Sequence, residues 1–353
     1  IPMLQFDKDD LDKSSFSIKT NINEFSPKLA STILYVDHLF TSVSYFHFIF
    51  KFEVISLDIN HDKNDFTAVL QHPELSSKQF LKSQDPLSFT SHSLILKKRN
   101  SSKAKAKNIG HICMSVHDVK SFYKSLSELP APSTSEIAGL NDLLLTLDNA
   151  YVSCHDSFQI NYLTRLGEPG SKAGIFFLNG PGDIPIEVYQ YAHRPNSLEK
   201  DKEVEVVEDL GYRFNHSMIE FFNRDGDMKD VLAFYVNVLG MRVLDVKHNK
   251  GDGFSLYFVG YLPKENEEWK EDKGNGYLPR RAREGYLQLR YHWTSEKEFS
   301  KKEKDLAYSF EIEVDDVIAY FNDVTSKYTD VDVDFTNKTI KDPVGHAYKF
   351  FQK

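Results

Sequence analysis

The chain has 353 residues, of which 41% are hydrophobic and 13% aromatic, enough to form two domains with sizeable cores. Its 52 acidic and 43 basic residues give a formal net charge of −9, which argues against nucleic-acid binding because that function requires a clustered basic excess. No apolar run approaches the ~18 residues of a membrane-spanning helix, and two cysteines are too few for a disulfide framework. We therefore expect no nucleic-acid or membrane partner, and a reducing compartment.

Charged and proline-containing stretches of the chain indicate an N-terminal arm, a linker and an insertion. Residues 1–27 are interpreted as an N-terminal arm, and the start at Ile1 rather than Met predicts that a leading segment was removed or is missing from this sequence. Residues 193–210 are charged and interrupted by proline, which predicts a linker. Residues 264–284 are dense in charge, which predicts either a solvated insertion or a loop that covers a site.

The segment from Phe214 to Pro263 predicts strand, helix, strand, hairpin and strand. Period-two alternation predicts that Phe214, His216 and Met218 share one face of the first strand. Asp227 is a plausible helix N-cap and Gly240 stands where a C-terminal glycine is expected. Five apolar residues at helical spacing predict a stripe that packs in the core: Val231, Leu232, Tyr235, Val238 and Leu239.

This segment closely resembles the first strand–helix–strand unit of the glyoxalase I (lactoylglutathione lyase) family, in the vicinal-oxygen-chelate superfamily. The string FYVNVLGM, Phe234 to Met241, is the most recognisable part. The resemblance implies an α+β fold built from βαβββ modules, paired into barrels like those of glyoxalase and dihydroxybiphenyl dioxygenase. It also implies a metal-ligand role for His216.

Three further segments resemble the same unit. Module 1 (residues 28–98) has the hydrophobic layout STILYVDHLF…, with Lys51 where the helix-ending glycine should be. Module 2 (106–192) contains NIGHICMSVHDV and closes with GPGDIPIEVYQY. Module 3 spans 211–296. Module 4 (304–353) contains SFEIEVDDVIAYF and closes with DPVGHAYKFF. Such a four-module chain is similar to a glyoxalase dimer fused into one monomer, in which modules 2 and 3 share one barrel and modules 1 and 4 share the other.

The resemblance implies a metal site between modules 2 and 3. His111, Glu187 and His216 match family ligands, and Gln288 stands where the fourth, a glutamate, is expected. Imidazole suits Zn, Ni, Co or Mn, and an amide oxygen still binds a hard cation. The site has lost one negative charge, so we expect weaker metal binding. In the barrel of modules 1 and 4 the same positions fall on Ser31, Ile95, Ser309 and Lys349, which predicts a metal-free scaffold or a pocket for another ligand.

Recognition of glutathione, the family's co-substrate, is less complete. Lys107, Arg165, Arg290 and His292 are candidate substrate-binding residues, but Glu220 stands where the family has an arginine and so reverses the charge. Three hypotheses follow: a glyoxalase I with one working site, in which Glu187 is the catalytic base; a related metalloenzyme with another small-molecule substrate; or a non-catalytic ligand-binding protein. A plastid-targeted parasite protein of this type is a possible closer relative, so the expected location is cytoplasmic or plastid.

Overall fold

The protein is described here from a computed structural model, which covers residues 22–60, 62, 65–72, 92–99, 110–116, 122, 126, 175–181, 184–190, 213–222, 228–261, 285–293 and 309–353. Within these residues a 3-10 turn, Ile22–Phe25, precedes fifteen strands. The strands of the first half are β1 Lys28–Val36, β2 Glu53–Asn60, β3 Asp65–Gln71, β4 Ser93–Lys98, β5 His111–Val116, β6 Ile175–Asn179 and β7 Pro185–Gln190. Those of the second half are β8 Arg213–Phe222, β9 Arg242–Asn249, β10 Phe254–Gly260, β11 Tyr286–His292, β12 Ser309–Val314, β13 Asp332–Asp334, β14 Thr339–Lys341 and β15 Ala347–Gln352.

The strands form two mixed sheets, and each sheet draws strands from both halves of the chain. The seven-stranded sheet has the order β6-β7-β5-β8-β11-β10-β9, and the eight-stranded sheet has the order β13-β14-β15-β12-β1-β4-β3-β2. The first therefore unites strands of modules 2 and 3, and the second unites strands of modules 1 and 4. The expected α+β fold with two barrel-like sheets is confirmed. The boundaries of the modules remain predictions, and the predicted linker and insertion lie outside the described residues.

Helices pack against these sheets through apolar side chains. They are α1 Leu39–Phe50, α2 Met228–Ala233, which continues as a π-helical turn over Phe234–Val238, and α3 Val317–Lys327. The predicted apolar stripe of the second helix is fully in the core, with every member at most 3% exposed. The π-helical turn was not predicted, and Asp227, the predicted N-cap, lies outside the described residues. Gly240 has a φ of 69°, as its predicted place at the helix end requires.

The central strands β1 and β8 each carry a β-bulge. On β8, His216 lies opposite Cys113 of β5 while Phe214 lies opposite Met114, so Asn215 is the extra residue. An extra residue reverses the alternation of faces beyond it. The prediction that Phe214 shares a face with His216 is therefore wrong. Phe214 instead stacks on His92 of the other sheet, with ring centroids 4.3 Å apart.

One continuous apolar core contains side chains from both sheets. Where the central strands meet, the Thr32 and Ser217 hydroxyls lie 2.9 Å apart in a buried hydrogen bond. None of the helices in the described residues is long and apolar enough to cross a membrane. The two sheets thus meet at β1 and β8, and His216 and its counterpart Ser31 lie on the opposite face of these strands from Thr32 and Ser217.

Candidate metal centre

Four adjacent strands of the seven-stranded sheet each carry one predicted ligand. The neighbours β7, β5, β8 and β11 carry Glu187, His111, His216 and Gln288 respectively. On β8, Met218 lies opposite both His111 and Gln288, while Cys113 of β5 lies opposite both His216 and Glu187. Side chains two residues apart on a strand point to the same face, so the four predicted ligands converge on one face of the sheet.

The donor atoms are close enough to hold an ion. The Nε2 atoms of His111 and His216 are 3.2 Å apart, and His111 Nε2 is 3.4 Å from a carboxylate oxygen of Glu187. Ligand atoms of all three residues lie within 4.8 Å of one another. Two donors bound to one ion at about 2.0–2.1 Å are separated by about 2.9–3.4 Å in octahedral or tetrahedral geometry, so these spacings fit a metal centre. The buried Gln288 side chain completes the group through a hydrogen bond with His111.

The surroundings of His111 keep its imidazole in the neutral form that binds cations. Burial lowers the pKa of His111 to about 3, and the nearby positive charge of Arg290 acts in the same direction. His111 is therefore neutral at physiological pH, with a lone pair to offer. The thiol of Cys113, which is fully buried, lies 3.7 Å from the Glu187 carboxylate. The site thus combines two imidazoles, one carboxylate and one amide.

His216 has two buried polar neighbours that the sequence did not predict. Its Nδ1 lies 2.8 Å from Asn215 Oδ1, and the Tyr286 hydroxyl donates to the same oxygen at 2.7 Å. The Tyr286 ring also stacks on the imidazole, with centroids 5.1 Å apart. The sequence did contain a sign that Asn215 is unusual, because asparagine is depleted in strand interiors. The bulge that brings Asn215 beside the imidazole is not visible in the sequence.

A second cluster of charges lies farther along the same strands. Glu220 on β8 accepts a hydrogen bond from His292 at 3.3 Å and lies 3.8 Å from the Arg290 guanidinium. Burial raises the pKa of Glu220, but the hydrogen bond and charge of His292, together with the charge of Arg290, outweigh burial and hold the pKa below its ordinary value. Arg290 lies over the Phe254 ring, 4.1 Å from its centroid. Two predicted substrate-binding residues are therefore already paired with an ionised carboxylate. The other two, Lys107 and Arg165, lie outside the described residues.

The curated proteins that are similar to this chain share one description. No protein-family model matches the chain. Glyoxalase I of Saccharomyces cerevisiae is 27% identical over 198 residues, covering 56% of this chain and 44% of the relative. Lactoylglutathione lyase of Schizosaccharomyces pombe is 29% identical over 169 residues, covering 47% of this chain and 46% of the relative. The chain resembles the glyoxalase I family. It spans about half the length of the curated relatives that it matches.

A solved structure shows the same fold over nearly the whole chain. Glyoxalase I from Zea mays superposes with a TM-score of 0.55 at 17% identity, covering 93% of each chain. At this identity the likeness establishes the glyoxalase fold alone.

The register of the eight-stranded sheet locates the counterparts of the four predicted ligands. Ser31 lies opposite Glu311 and Ser93, as His216 lies opposite Cys113 and Tyr286. The same correspondence relates Ile95 to Gln288, Ser309 to His111 and Lys349 to Glu187. Ser31 donates to the Glu311 carboxylate at 2.9 Å, and the Lys349 amino group lies 4.0 Å from it. Glu311 is the one carboxylate or imidazole at these five positions, and it is paired with an ammonium and a hydroxyl.

Proposed function

We propose that the chain is a metal-dependent isomerase of glyoxalase I type, which converts the hemithioacetal of methylglyoxal and glutathione to lactoylglutathione at a single site. The main support for this proposal is the convergence of His111, Glu187 and His216, from three adjacent strands, at distances that suit a divalent ion. The relatedness to yeast glyoxalase I over about 200 residues supports the same reaction class.

Each side chain has a definable role in this proposal. His111, His216, Glu187 and Gln288 would hold the ion, which when bound supplies Lewis acidity to the two adjacent oxygens of the substrate. Glu187 is the base: its carboxylate removes the proton from the carbon that bears sulfur and returns it to the neighbouring carbon. Gln288 cannot share this task, because an amide has no useful proton affinity. The ion is Zn, Ni, Co or Mn by donor type.

We further propose that the other sheet has no metal site. A cation placed among Ser31, Ile95, Ser309 and Lys349 would face an ammonium where the first site has Glu187. The ammonium repels a divalent ion, and two neutral hydroxyls and the hydrocarbon side chain of Ile95 offer little in return. The chain would then act as a monomer in which the internal pseudo-dimer has one working centre.

A second candidate function is the same chemistry on a different small-molecule thiol adduct. Glu220, ionised and paired with Arg290 and His292, supports this alternative. Positive charge that would attract the carboxylates of glutathione is compensated within the protein. Both candidates require the metal, and they differ in which adduct is turned over.

The deciding experiment is hemithioacetal isomerase activity after loading with Zn, Ni, Co and Mn in turn, for the native chain and for Glu187→Gln. We expect metal-dependent activity that falls by at least ~10²-fold in the variant, as loss of a general base does. Lys349→Gln, the counterpart in the other sheet, is the matched control and should retain activity.

Metal content separates the alternatives. Glu187→Ala should lower bound metal, because it removes the carboxylate ligand. Bound metal with no turnover of the glutathione adduct would move the assignment to another thiol adduct. Unchanged metal stoichiometry in Glu187→Ala, or no metal in the native chain, would contradict the site itself.

A further inference from the structure

The β-bulge on β8 turns a polar side chain towards the metal centre. Cys113 and Met114 of β5 lie opposite His216 and Phe214, so Asn215 is the extra residue of the bulge. Bulges change the direction in which side chains point and are frequent beside active sites. Here the bulge brings the Asn215 amide to the imidazole of the next residue, at 2.8 Å from Nδ1.

The amide oxygen determines which nitrogen of His216 carries hydrogen. Asn215 Oδ1 accepts from the Tyr286 hydroxyl at 2.7 Å, and an amide oxygen cannot donate to the imidazole. The hydrogen of the bond between His216 and Asn215 therefore belongs to Nδ1. The lone pair is then on Nε2, the atom that lies 3.2 Å from His111 Nε2 in the metal centre. Asn215, His216 and Tyr286 are all at most 4% exposed, so water does not compete for these bonds.

We propose that Asn215 and Tyr286 are positioning residues that hold His216 as the Nδ1–H tautomer, with Nε2 directed at the metal. Partners of this kind keep a ligating histidine in one orientation and raise its basicity. The inference rests on the proposed metal site, although the tautomer itself is a property of the metal-free chain.

The other sheet provides an internal comparison. It keeps the bulge, since the register shifts between Leu29 and Ser31, but the extra residue there is Ala30. Ser31 stands in place of the imidazole and Ser93 in place of Tyr286. The bulge is therefore present in both sheets, with the amide and the phenol in one and without them in the other. Asn215 and Tyr286 occur in the sheet that has the imidazole, which supports a role in orienting His216 rather than in stabilising the sheet.

The first measurement is the tautomer of His216 in the metal-free protein, from long-range ¹H–¹⁵N correlation spectra assigned with His216→Gln. We expect Nδ1–H in the native chain and in Asn215→Asp, which keeps an acceptor. Asn215→Ala should give a mixture of tautomers. An Nε2–H tautomer in the native chain would overturn the inference, whether or not the chain binds metal.

The second measurement is the dissociation constant for Zn, from competition with a chromophoric chelator. Asn215→Ala should bind Zn about 10- to 100-fold more weakly, and Asn215→Asp should bind at least as tightly as the native chain. Tyr286→Phe should weaken binding less than Asn215→Ala. Ser93→Ala, which removes the hydroxyl that accepts from Gln71 in the other sheet, is the matched control and should leave the constant unchanged.

The outcomes separate this inference from the proposed function. Zn binding in Asn215→Ala and Tyr286→Phe within twofold of the native value would overturn the positioning role while leaving the metal site in place. If Asn215→Ala does not fold, Tyr286→Phe and Asn215→Asp decide by the same two readouts. A native chain that binds no metal contradicts the proposed function, and the tautomer then decides this inference alone.

Discussion

At the scale of single residues, Glu220 is paired with two of the predicted substrate-binding residues. Glu220 lies on the same strand as His216, four residues and therefore about 13 Å farther along the backbone. There it holds Arg290 and His292, and a substrate carboxylate would have to compete with it. The partial exposure of these side chains leaves the cluster open to ligands.

Replacement of Glu220 should therefore improve use of glutathione. Glu220→Gln removes the competing charge and leaves Arg290 to attract the substrate carboxylates. We expect KM for the glutathione hemithioacetal to fall by about 1.5- to 5-fold, the range of one partly exposed ion pair. Steady-state kinetics measures the change, with Glu53→Gln, an exposed carboxylate of the other sheet, as control.

A higher or unchanged KM in Glu220→Gln would contradict this view of the cluster. If turnover is too slow to measure, calorimetric titration with an S-alkyl glutathione tests the same point. The variant should then bind the analogue more tightly than the native chain does.

At the scale of secondary-structure elements, the helices before β2 and β9 both end in a left-handed residue, but the type of residue differs. Gly240 follows the π-helical turn with a φ of 69°, and Lys51 follows α1 with a φ of 58° and a ψ of 32°. A left-handed conformation costs a residue with a Cβ about 1–2 kcal/mol, a cost that glycine avoids. Lys51 recovers part of it through a hydrogen bond from its amino group to the Phe48 carbonyl.

Lys51→Gly should therefore stabilise the fold by about 0.5–1 kcal/mol, less than the full cost because glycine loses more entropy on folding. Urea unfolding measures the difference. Gly240→Ala, the matched change in the other module, should destabilise by a similar or larger amount. Changes of the same sign in both variants would show that the left-handed conformation does not control these helix ends.

The sequence allowed the prediction of features that depend on a single strand or helix, but not of those that depend on how strands pair. The predicted ligands could be found from strand alternation and from a family string, because both are properties of short segments. These ligands, which the register places on one face of the sheet, are His111, Glu187, His216 and Gln288. Phe214 was placed on the wrong face because a bulge depends on how β8 pairs with β5. The contact of Glu220 with Arg290 likewise arises from the parallel pairing of β8 with β11, which are some seventy residues apart in the chain. Tertiary pairing of this kind leaves no local signal.

At the scale of the whole molecule, the two sheets meet through a small polar cluster in an apolar core. His92, just before β4, stacks on Phe214 of the other sheet. Its Nε2 lies 2.9 Å from the Thr32 hydroxyl, which also bonds Ser217, and its Nδ1 lies 3.2 Å from the Leu29 carbonyl. A Cβ at Gly285 would overlap the imidazole, so the counterpart position in the other sheet has no side chain.

This seam should make stability depend on pH. Burial lowers the pKa of His92 to about 3; the Leu29 carbonyl opposes the shift and the charge of Lys28 adds to it. An unfolded histidine titrates near 6.5. Between about pH 6.5 and 3 the unfolded chain therefore binds a proton here that the folded chain does not. The contribution of His92 is complete above about pH 6.5, and the free energy of unfolding falls by up to about 1.4 kcal/mol per pH unit as the solution is acidified.

His92→Gln should flatten this dependence, because glutamine keeps polar atoms near Thr32 and Leu29 but does not titrate. Urea unfolding between pH 4.5 and 7.5, with chelator present throughout, compares the slopes. His111 contributes with the same sign in both proteins, so the difference between the slopes isolates His92. His38→Gln, which removes an exposed imidazole before α1, is the control and should keep the native slope. Equal slopes in the native chain and His92→Gln would contradict the prediction, because the folded chain would then protonate His92 as readily as the unfolded chain does.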